Sequence, residues 1–506
     1  MSRLLSFLDL TFWSVTMNPL YLSRAVVACY DNDNTAFIPE LWAAEGLAIL
    51  QENMVIANLV HRDFENEIRQ FGDVVNTRRP GTFQIRRKSD GTPLQNQDAS
   101  ATNVQVPLNQ WFYTSFTIKD GEASKSFQDL VDIYLRPGMM TIARSVDRAV
   151  LGRVPAYLGA PGQRVGRLQN LTADNSKDYV LDAREQLNIN KAPLEGRSLV
   201  LAPVSETALL KNELFIAAQQ RGDFGTALES ATLGRILGFD TYMDQNVNSV
   251  SAQNCDVDTT GTVTNAMAAG AAVASQAVSL TDWAANIGEF AVVAGNDQPT
   301  FITAATTTGT VGVHGTNSGT TTAVTLNEVN VNATLAAAPL TVYKACASYA
   351  SYAATWSQGI VLTGFVNPPQ IGQMVAFGTG AGRAVYTVIE SYQSDNAGNP
   401  NSVGAYHTIL VDRPLDNAVN AADLCFPGPA GALNLAFHRN AIALVTRPLA
   451  IPNNAMGVLS HVGVYNDIAM RVSMQYSIAN GGTVVVLDIL AGVAVLDTNL
   501  CVVLQG

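Results

Sequence analysis

The apolar residues between Ser124 and Arg153 recur at helical spacing: Phe127, Leu130, Val131 and Tyr134, then Leu135, Met139, Ile142, Val146 and Val150. That period predicts one helix of about 45 Å at about 1.5 Å per residue, much longer than an ordinary globular helix. Ser124 or Ser126 can cap its start, and Asp129 falls in the first turn, where the helix dipole favours a negative charge. Pro137-Gly138 interrupts the pattern without ending it, which predicts a kink. Such a helix suits either the core of a large enzyme or the spine of a scaffold, and its flanks favour the scaffold.

Upstream, from Val74 to Ile118, the period changes to two. Phe83 and Ile85 alternate with Gln84 and Arg86 in an outgoing limb, and Val104, Val106 and Leu108 alternate with Gln105 and Pro107 in a returning one. Phe112, Thr114, Phe116 and Ile118 then share one face, with Trp111, Tyr113 and Ser115 on the other. The stretch SDGTPLQNQDASATN between the limbs is rich in turn residues. A two-stranded ribbon is marginal in water and needs a second surface to lie on. Arg78, Arg79, Arg86, Arg87 and Lys88 on the outgoing limb, with Trp111 and Tyr113 on the return, are the candidate subunit-interface residues. The basic residues can bridge to an acidic neighbouring subunit, contact phosphate, or form a solvated face; subunit contact is favoured because the ribbon needs a partner and the chain is acidic.

At 506 residues the chain exceeds one ordinary core, so two or three domains are expected. Only 14% of its residues are charged while 47% are hydrophobic, a balance that fits a protein whose surface is buried in an assembly. A net charge of −12 argues against a dedicated nucleic-acid binder. Cys29, Cys255, Cys346, Cys425 and Cys501 lie far apart without metal spacing and read as buried free thiols. The N-terminal stretch lacks a small-residue cleavage pattern, and no apolar run is long enough to span a bilayer.

The remaining chain divides by texture. Residues 1–40 read as an arm and Leu41–Asn53 as a helix, followed by an apolar patch at Met54–Val60. After the long helix come a helix over Ser176–Leu187, a strand at Ser198–Pro203, helices near Ser205–Gln220 and Thr226–Leu237, and a strand at Phe239–Met243. No Lys or Arg occurs between Arg235 and Lys344, and Thr, Ala, Val, Gly and Asn dominate up to Phe437, which predicts a β-rich insertion. Within it, Asn265–Val278 reads as a helix, and Thr303–Thr322 as a β edge or a mobile loop. Alternating strands return at Ala441–Leu449 and Ile468–Ser477. Thr483–Leu496 is a nearly continuous apolar run, either one strand buried on both faces or two broken at Gly492.

Gly378-Thr-Gly380-Ala-Gly382 lacks the spacing and the closing Lys of a phosphate loop and reads as a hairpin turn. No pattern among His61, His314, His407, His438 and His461 matches a metal site, and no nucleophile elbow is present. No catalytic residue, cofactor or metal is therefore expected.

Arm, ribbon, spine, α/β unit, β insertion and returning strands, in that order, resemble the major capsid proteins of tailed double-stranded DNA phages. The fold class implied is α+β, the HK97-like capsid fold with a large β-rich insertion, closest to coat proteins of the phage P22 type. Four stretches carry the resemblance: IPELWAAEGLAIL (Ile38–Leu50); the ribbon and spine (Val74–Leu151); GRSLVLAP with GRILGFDTYMDQNV (Gly196–Pro203 and Gly234–Val247); and NLAFHRNAIALVTRPL with VLDILAGVAVL (Asn434–Leu449 and Val486–Leu496). It departs from that pattern in the longer Thr/Ala-rich part, Val250–Ala338.

The resemblance implies an N-terminal arm (1–40), a helical lead-in (41–73), an extended loop (74–118) and a peripheral domain (119–197 with 439–452 and 484–506). An axial domain (198–249 with 453–483) and the insertion (250–438) complete the division. It further implies pentamers and hexamers closing an icosahedral shell around DNA, non-specific contact with that DNA, and no membrane. A scaffolding protein, a portal and a decoration or cement protein would be the partners, with assembly in the host cytoplasm and residence in the virion. Lys88 and Lys119 are not expected to cross-link. The shell of an encapsulin-like non-viral compartment is the alternative, and a β-rich adhesin a more distant one.

Overall fold

A computed structural model describes residues 54–62, 74–79, 85–88, 90–91, 93, 102–120, 134–159, 163–217, 231–270, 276–327, 332–379, 383–400, 405–447, 449–452, 458–465, 468–479 and 481–506. The expected arm, the helix over 41–53 and the long helix before Tyr134 lie outside them. Of the spine, Arg136–Leu151 is helical, with Pro137 in its first turn, where a missing N–H costs nothing. Met139, Ile142, Ala143, Val146, Ala149 and Val150 are all buried, as their spacing requires.

The helix covers an antiparallel sheet in the order Ile442–Arg447, Gly482–Val495, Ile468–Ser477, Leu459–Tyr465, with Gln110–Lys119 paired to Gly482–Val495 along Gly482–Ala491. Gly482–Val495 is one unbroken strand, and none of its residues is exposed on either face, which accounts for its nearly continuous apolar sequence. Gly492 is needed for clearance rather than for a break: a Cβ there would lie 2.4 Å from the carbonyl oxygen of Pro107. Among the described residues, the ribbon's strands do not include Ile85 and its neighbours. Val74–Arg79 pairs with Thr102–Pro107, while Ile85–Lys88 forms no strand and Ile85 is 99% exposed. Phe83 lies outside the described residues.

A second sheet runs Arg164–Gly166, Cys501–Gln505, Gly431–His438, Arg197–Leu201, Phe239–Met243, Arg235–Ile236. The helices Ser176–Ile189 and Pro203–Leu210 lie on it, burying Val180, Ala183, Leu187 and Leu209 against Leu199, Leu201, Val502 and Leu504. Glu213–Ile216 is a separate single turn. The expected helix over Thr226–Leu237 does not reach its end, because Arg235–Ile236 is a strand that turns at Leu237 and Gly238, both with positive φ. Strand pairing also crosses the expected divisions. The Leu459–Ser477 hairpin belongs with Gly482–Val495 rather than with 198–249, and Cys501–Gln505 lies beside Gly431–His438 rather than with the spine's sheet.

The insertion forms two closed barrels. The first comprises Val257–Val263, Gln276–Leu280, Phe290–Val293, Thr300–Thr310, Ser318–Leu326 and Ala338–Tyr343. The second comprises Cys346–Ser348, Ile360–Thr363, Met374–Phe377, Ala384–Ser394, Tyr406–Val411 and Leu424–Pro427. The Ala-rich 265–270 is loop and Gln276–Leu280 is strand, because Val278 and Leu280 alternate into the barrel core; the Thr-rich stretch supplies two paired strands. Gly431–His438, assigned to the insertion by sequence, is a strand of the second sheet.

Lettered a to f in chain order, the strands of both barrels close as a-b-e-d-c-f, every neighbour antiparallel. Hydrogen bonds repeat with the topology. Gly288 N donates to Ile302 O as Gly372 N does to Val388 O, each at 2.8 Å. Phe301 N donates to Asn327 Oδ1 (2.8 Å) as Thr387 N does to Asp412 Oδ1 (3.0 Å). Asn286 N donates to Glu289 Oε2 (3.0 Å) as Gln370 N does to Gln373 Oε1 (2.9 Å). The insertion is thus one barrel architecture used twice in tandem, and the extra length of Val250–Ala338 accommodates most of the first barrel.

The second barrel sits on the spine helix. Arg148 bonds Glu390 Oε1 (2.6 Å) and Ile389 O (3.0 Å), Thr387 Oγ1 donates to Gly152 O (3.2 Å), and Arg153 lies 3.6 Å from Asp412. The first barrel docks on the second through Arg383, whose guanidinium lies 4.2 Å from the Phe301 ring, 4.6 Å from Phe290 and 5.5 Å from Phe426. It reaches back to the second sheet where Leu168 N donates to Asp297 O and Gln298 Nε2 to Gly166 O, both at 3.0 Å. Cys255, Cys346, Cys425 and Cys501 are buried and free. Among the described residues no helix is long and apolar enough to cross a membrane.

Candidate subunit-contact surface

Gln110–Lys119 gives two faces to its alternating side chains. Ile118 is buried and Phe112 and Phe116 half-buried against the core under the spine, while Trp111 is 58% and Tyr113 69% exposed. Register places Trp111 opposite Leu490 and Tyr113 opposite Asp488. The exposed aromatics line a groove of about 1390 Å³ between this sheet and the second barrel, whose side contributes Tyr352, Trp356 and Tyr392. Sequence reasoning found the first two residues by alternation. It missed the other three because nothing in their local pattern shows that the insertion folds back beside the ribbon strand.

The charges bordering the groove are largely answered within the chain. Arg471 holds Asp488 in a two-point bridge (Nε–Oδ1 3.0 Å, Nη2–Oδ2 2.5 Å), and Arg148 holds Glu390. Arg413 spans Asp412 (3.4 Å) and Asp416 (2.8 Å). What remains open to a partner is therefore aromatic and polar surface more than charge.

The cationic residues lie elsewhere. Arg86, Arg87 and Lys88 are exposed, as is every described residue from Ile85 to Pro93. Arg78 and Arg79 belong to the ribbon strand, in register with Asn103 and Thr102. The base of the ribbon is anchored, with Val75 and Val106 buried against Ala443 and Val445. The seven candidates thus divide into a basic group along the ribbon and its tip, and an aromatic pair at its root.

One arrangement has the look of chemistry. His407 Nε2 lies 2.8 Å from Ser391 Oγ, beside a cavity of about 280 Å³ that includes Asn254 and Gln370. The serine hydroxyl donates instead to Pro369 O (2.7 Å), and burial lowers the pKa of His407. With its proton directed to a carbonyl, Ser391 is not activated by the histidine, and the pair links two barrel strands.

No family model matches the chain, and no curated protein matches it. Solved structures overlap it at low identity. One from Mycobacterium phage Che8 is 13% identical over 89% of this chain and 90% of that chain, with a TM-score of 0.39. The capsid structure of cyanophage P-SCSP1u is 11% identical over 86% of this chain and 84% of that chain, with a TM-score of 0.39. The mature capsid asymmetric unit of bacteriophage PhiM1 is 9% identical over 86% of this chain and 82% of that chain, with a TM-score of 0.36.

Proposed function

We propose that this chain is the major capsid protein of a tailed double-stranded DNA phage, many copies of which close an icosahedral shell of pentamers and hexamers around the genome. The observation that carries the reading is the ribbon: a buried base, and a basic tip every described residue of which is exposed. Such an arm has little to gain within its own chain and much to gain by lying on another. In this reading the spine and its five-stranded sheet form the peripheral region, and the sheet around Arg197–Leu201 the axial one. The second and first barrels together would correspond in position to the insertion domain of P22-type coats, with the first barrel as the departure from that pattern. Scaffolding, portal and decoration proteins would be the partners.

The basic tip and the aromatic root give separable tests. Exchanging Arg86, Arg87 and Lys88 for Glu is expected to abolish closed particles, leaving a soluble chain with wild-type thermal stability, because these side chains are exposed. Trp111→Ala with Tyr113→Ala is expected to weaken assembly at least tenfold in critical concentration, read by sedimentation. Normal assembly by both variants would remove the ribbon from the subunit contact.

A further inference from the structure

The second barrel closes where its first strand, Cys346–Ser348, meets its last, Leu424–Pro427. Across that seam Cys346 stands directly opposite Cys425 in antiparallel register. Opposed residues on neighbouring strands hold their Cα atoms about 4.5–5.5 Å apart and send their side chains to the same face. A disulfide spans Cα separations of about 4.4–6.8 Å, so neither strand has to move to accept one. Both side chains lie in the barrel core, at 1% and 0% exposure, beside Tyr352, Ile360 and Phe377. Cys346 Sγ donates to Cys425 O at 3.6 Å, and the two thiols are hydrogen-bonded to each other.

The other described cysteines have a different setting. Cys501 stands opposite Phe437. Cys255 packs in the cluster shared by the two barrels, where its sulfur accepts from Gln373 Nε2 at 3.6 Å. The first barrel closes its equivalent seam with Val257 opposite Tyr343 and Val263 opposite Ala338. Of the tandem pair, the barrel seated on the spine is thus the one that carries opposed thiols.

We propose that Cys346 and Cys425 are a disulfide site that staples the second barrel across its closing seam, reduced in a reducing compartment and bonded in an oxidising one. The oxidant is a small-molecule disulfide. One cysteine thiolate attacks a sulfur of the reagent, breaks its S–S bond, expels one reagent thiolate and forms a mixed disulfide. The second cysteine thiolate attacks the protein sulfur of that bond and expels the other reagent thiolate. The two cysteine protons end on the two reagent thiols, and two electrons reduce the reagent. Burial, then the contact with Cys346, push the Cys425 thiol well above its usual range, and the Arg383 guanidinium offsets only part of that push. The closed barrel therefore reacts slowly, and the bond forms as the short seam opens locally. Once made, it ties the first strand of the barrel to the last and restricts the unfolded chain between them. The inference stands on the barrel's register and is independent of the shell reading.

The test incubates the full chain with oxidised glutathione in urea below the unfolding transition, then removes the reagent, unfolds, alkylates with N-ethylmaleimide and digests without reduction. A linked Cys346–Cys425 peptide is expected as the dominant disulfide, with Cys255 and Cys501 alkylated. The oxidised chain should melt about 5 °C higher than the reduced one. Exchange of the Ser348 amide, which donates to Asp423 O (2.9 Å), should slow about tenfold, while the Val257–Tyr343 seam of the first barrel stays unchanged. Dithiothreitol should reverse both effects. Cys346→Ala and Cys425→Ala should each abolish the redox response, and Cys255→Ala should keep it. Full alkylation of Cys346 and Cys425 after oxidation, pairing of either with another cysteine instead, or an oxidised chain no better protected than the reduced one overturns the proposal.

Discussion

Asp412→Ala is expected to destabilise the chain by about 3 kcal/mol and to loosen the second barrel from the spine. Asp412 is fully buried where the two meet, accepting from Thr387 N with one oxygen and facing Arg153 and Arg413 with the other. Burial raises its pKa more than the two guanidiniums lower it, so the site depends on both staying in place. Truncation leaves two mostly buried cations without their shared anion and Thr387 N without an acceptor. The fit is tight as well as polar, since a Cβ on Gly152 would come within 2.3 Å of Asp412 Cβ. Urea denaturation gives the cost, and amide exchange at Thr387–Glu390 shows whether the barrel opens first. A change under about 0.5 kcal/mol would mean that the barrel is held by its other contacts, such as the Arg148–Glu390 bridge and the Thr387 Oγ1 bond to Gly152 O.

Glu289→Ala should cost about 4 kcal/mol, the largest single loss expected in the first barrel. The carboxylate is fully buried and gathers Trp283 Nε1, Asn286 N, Asn286 Nδ2 and Ala345 N at 2.7 to 3.1 Å. Removing it strands several buried donors at once. Burial pushes its pKa up to about 7 despite those donors, so its protonation stabilises the fold fully below about pH 4.5. That contribution is lost as pH rises through about 7, a change of about 3 kcal/mol across the window. Comparing urea midpoints of wild type and Glu289→Gln at about pH 5 and pH 8 checks the sign: the wild type should lose more stability with rising pH than the variant.

Elements whose side chains alternate or recur against one neighbour were readable from the chain. The spine after Pro137, the Trp111–Ile118 faces, Phe239–Met243 and the Ile468–Ser477 strand all follow from period and burial. The tandem barrels were not. Their strands repeat in topology and in backbone bonding, but at equivalent sites Glu289 meets Gln373 and Asn327 meets Asp412, so no sequence repeat is visible. Asn265–Val278 read as helix because alanine favours one, yet the barrel core claims Val278 and Leu280. The candidate contact residues were partly legible. Exposure of Trp111 and Tyr113 follows from alternation, whereas Tyr352, Trp356 and Tyr392 join them through tertiary contact alone.

Electron microscopy of the full chain, expressed alone and with its neighbouring genes, tests the shell proposal most directly. Closed icosahedral particles, or sheets and spirals of hexamer-like rings, are the predicted result. A discrete monomer or small oligomer under all those conditions would contradict it.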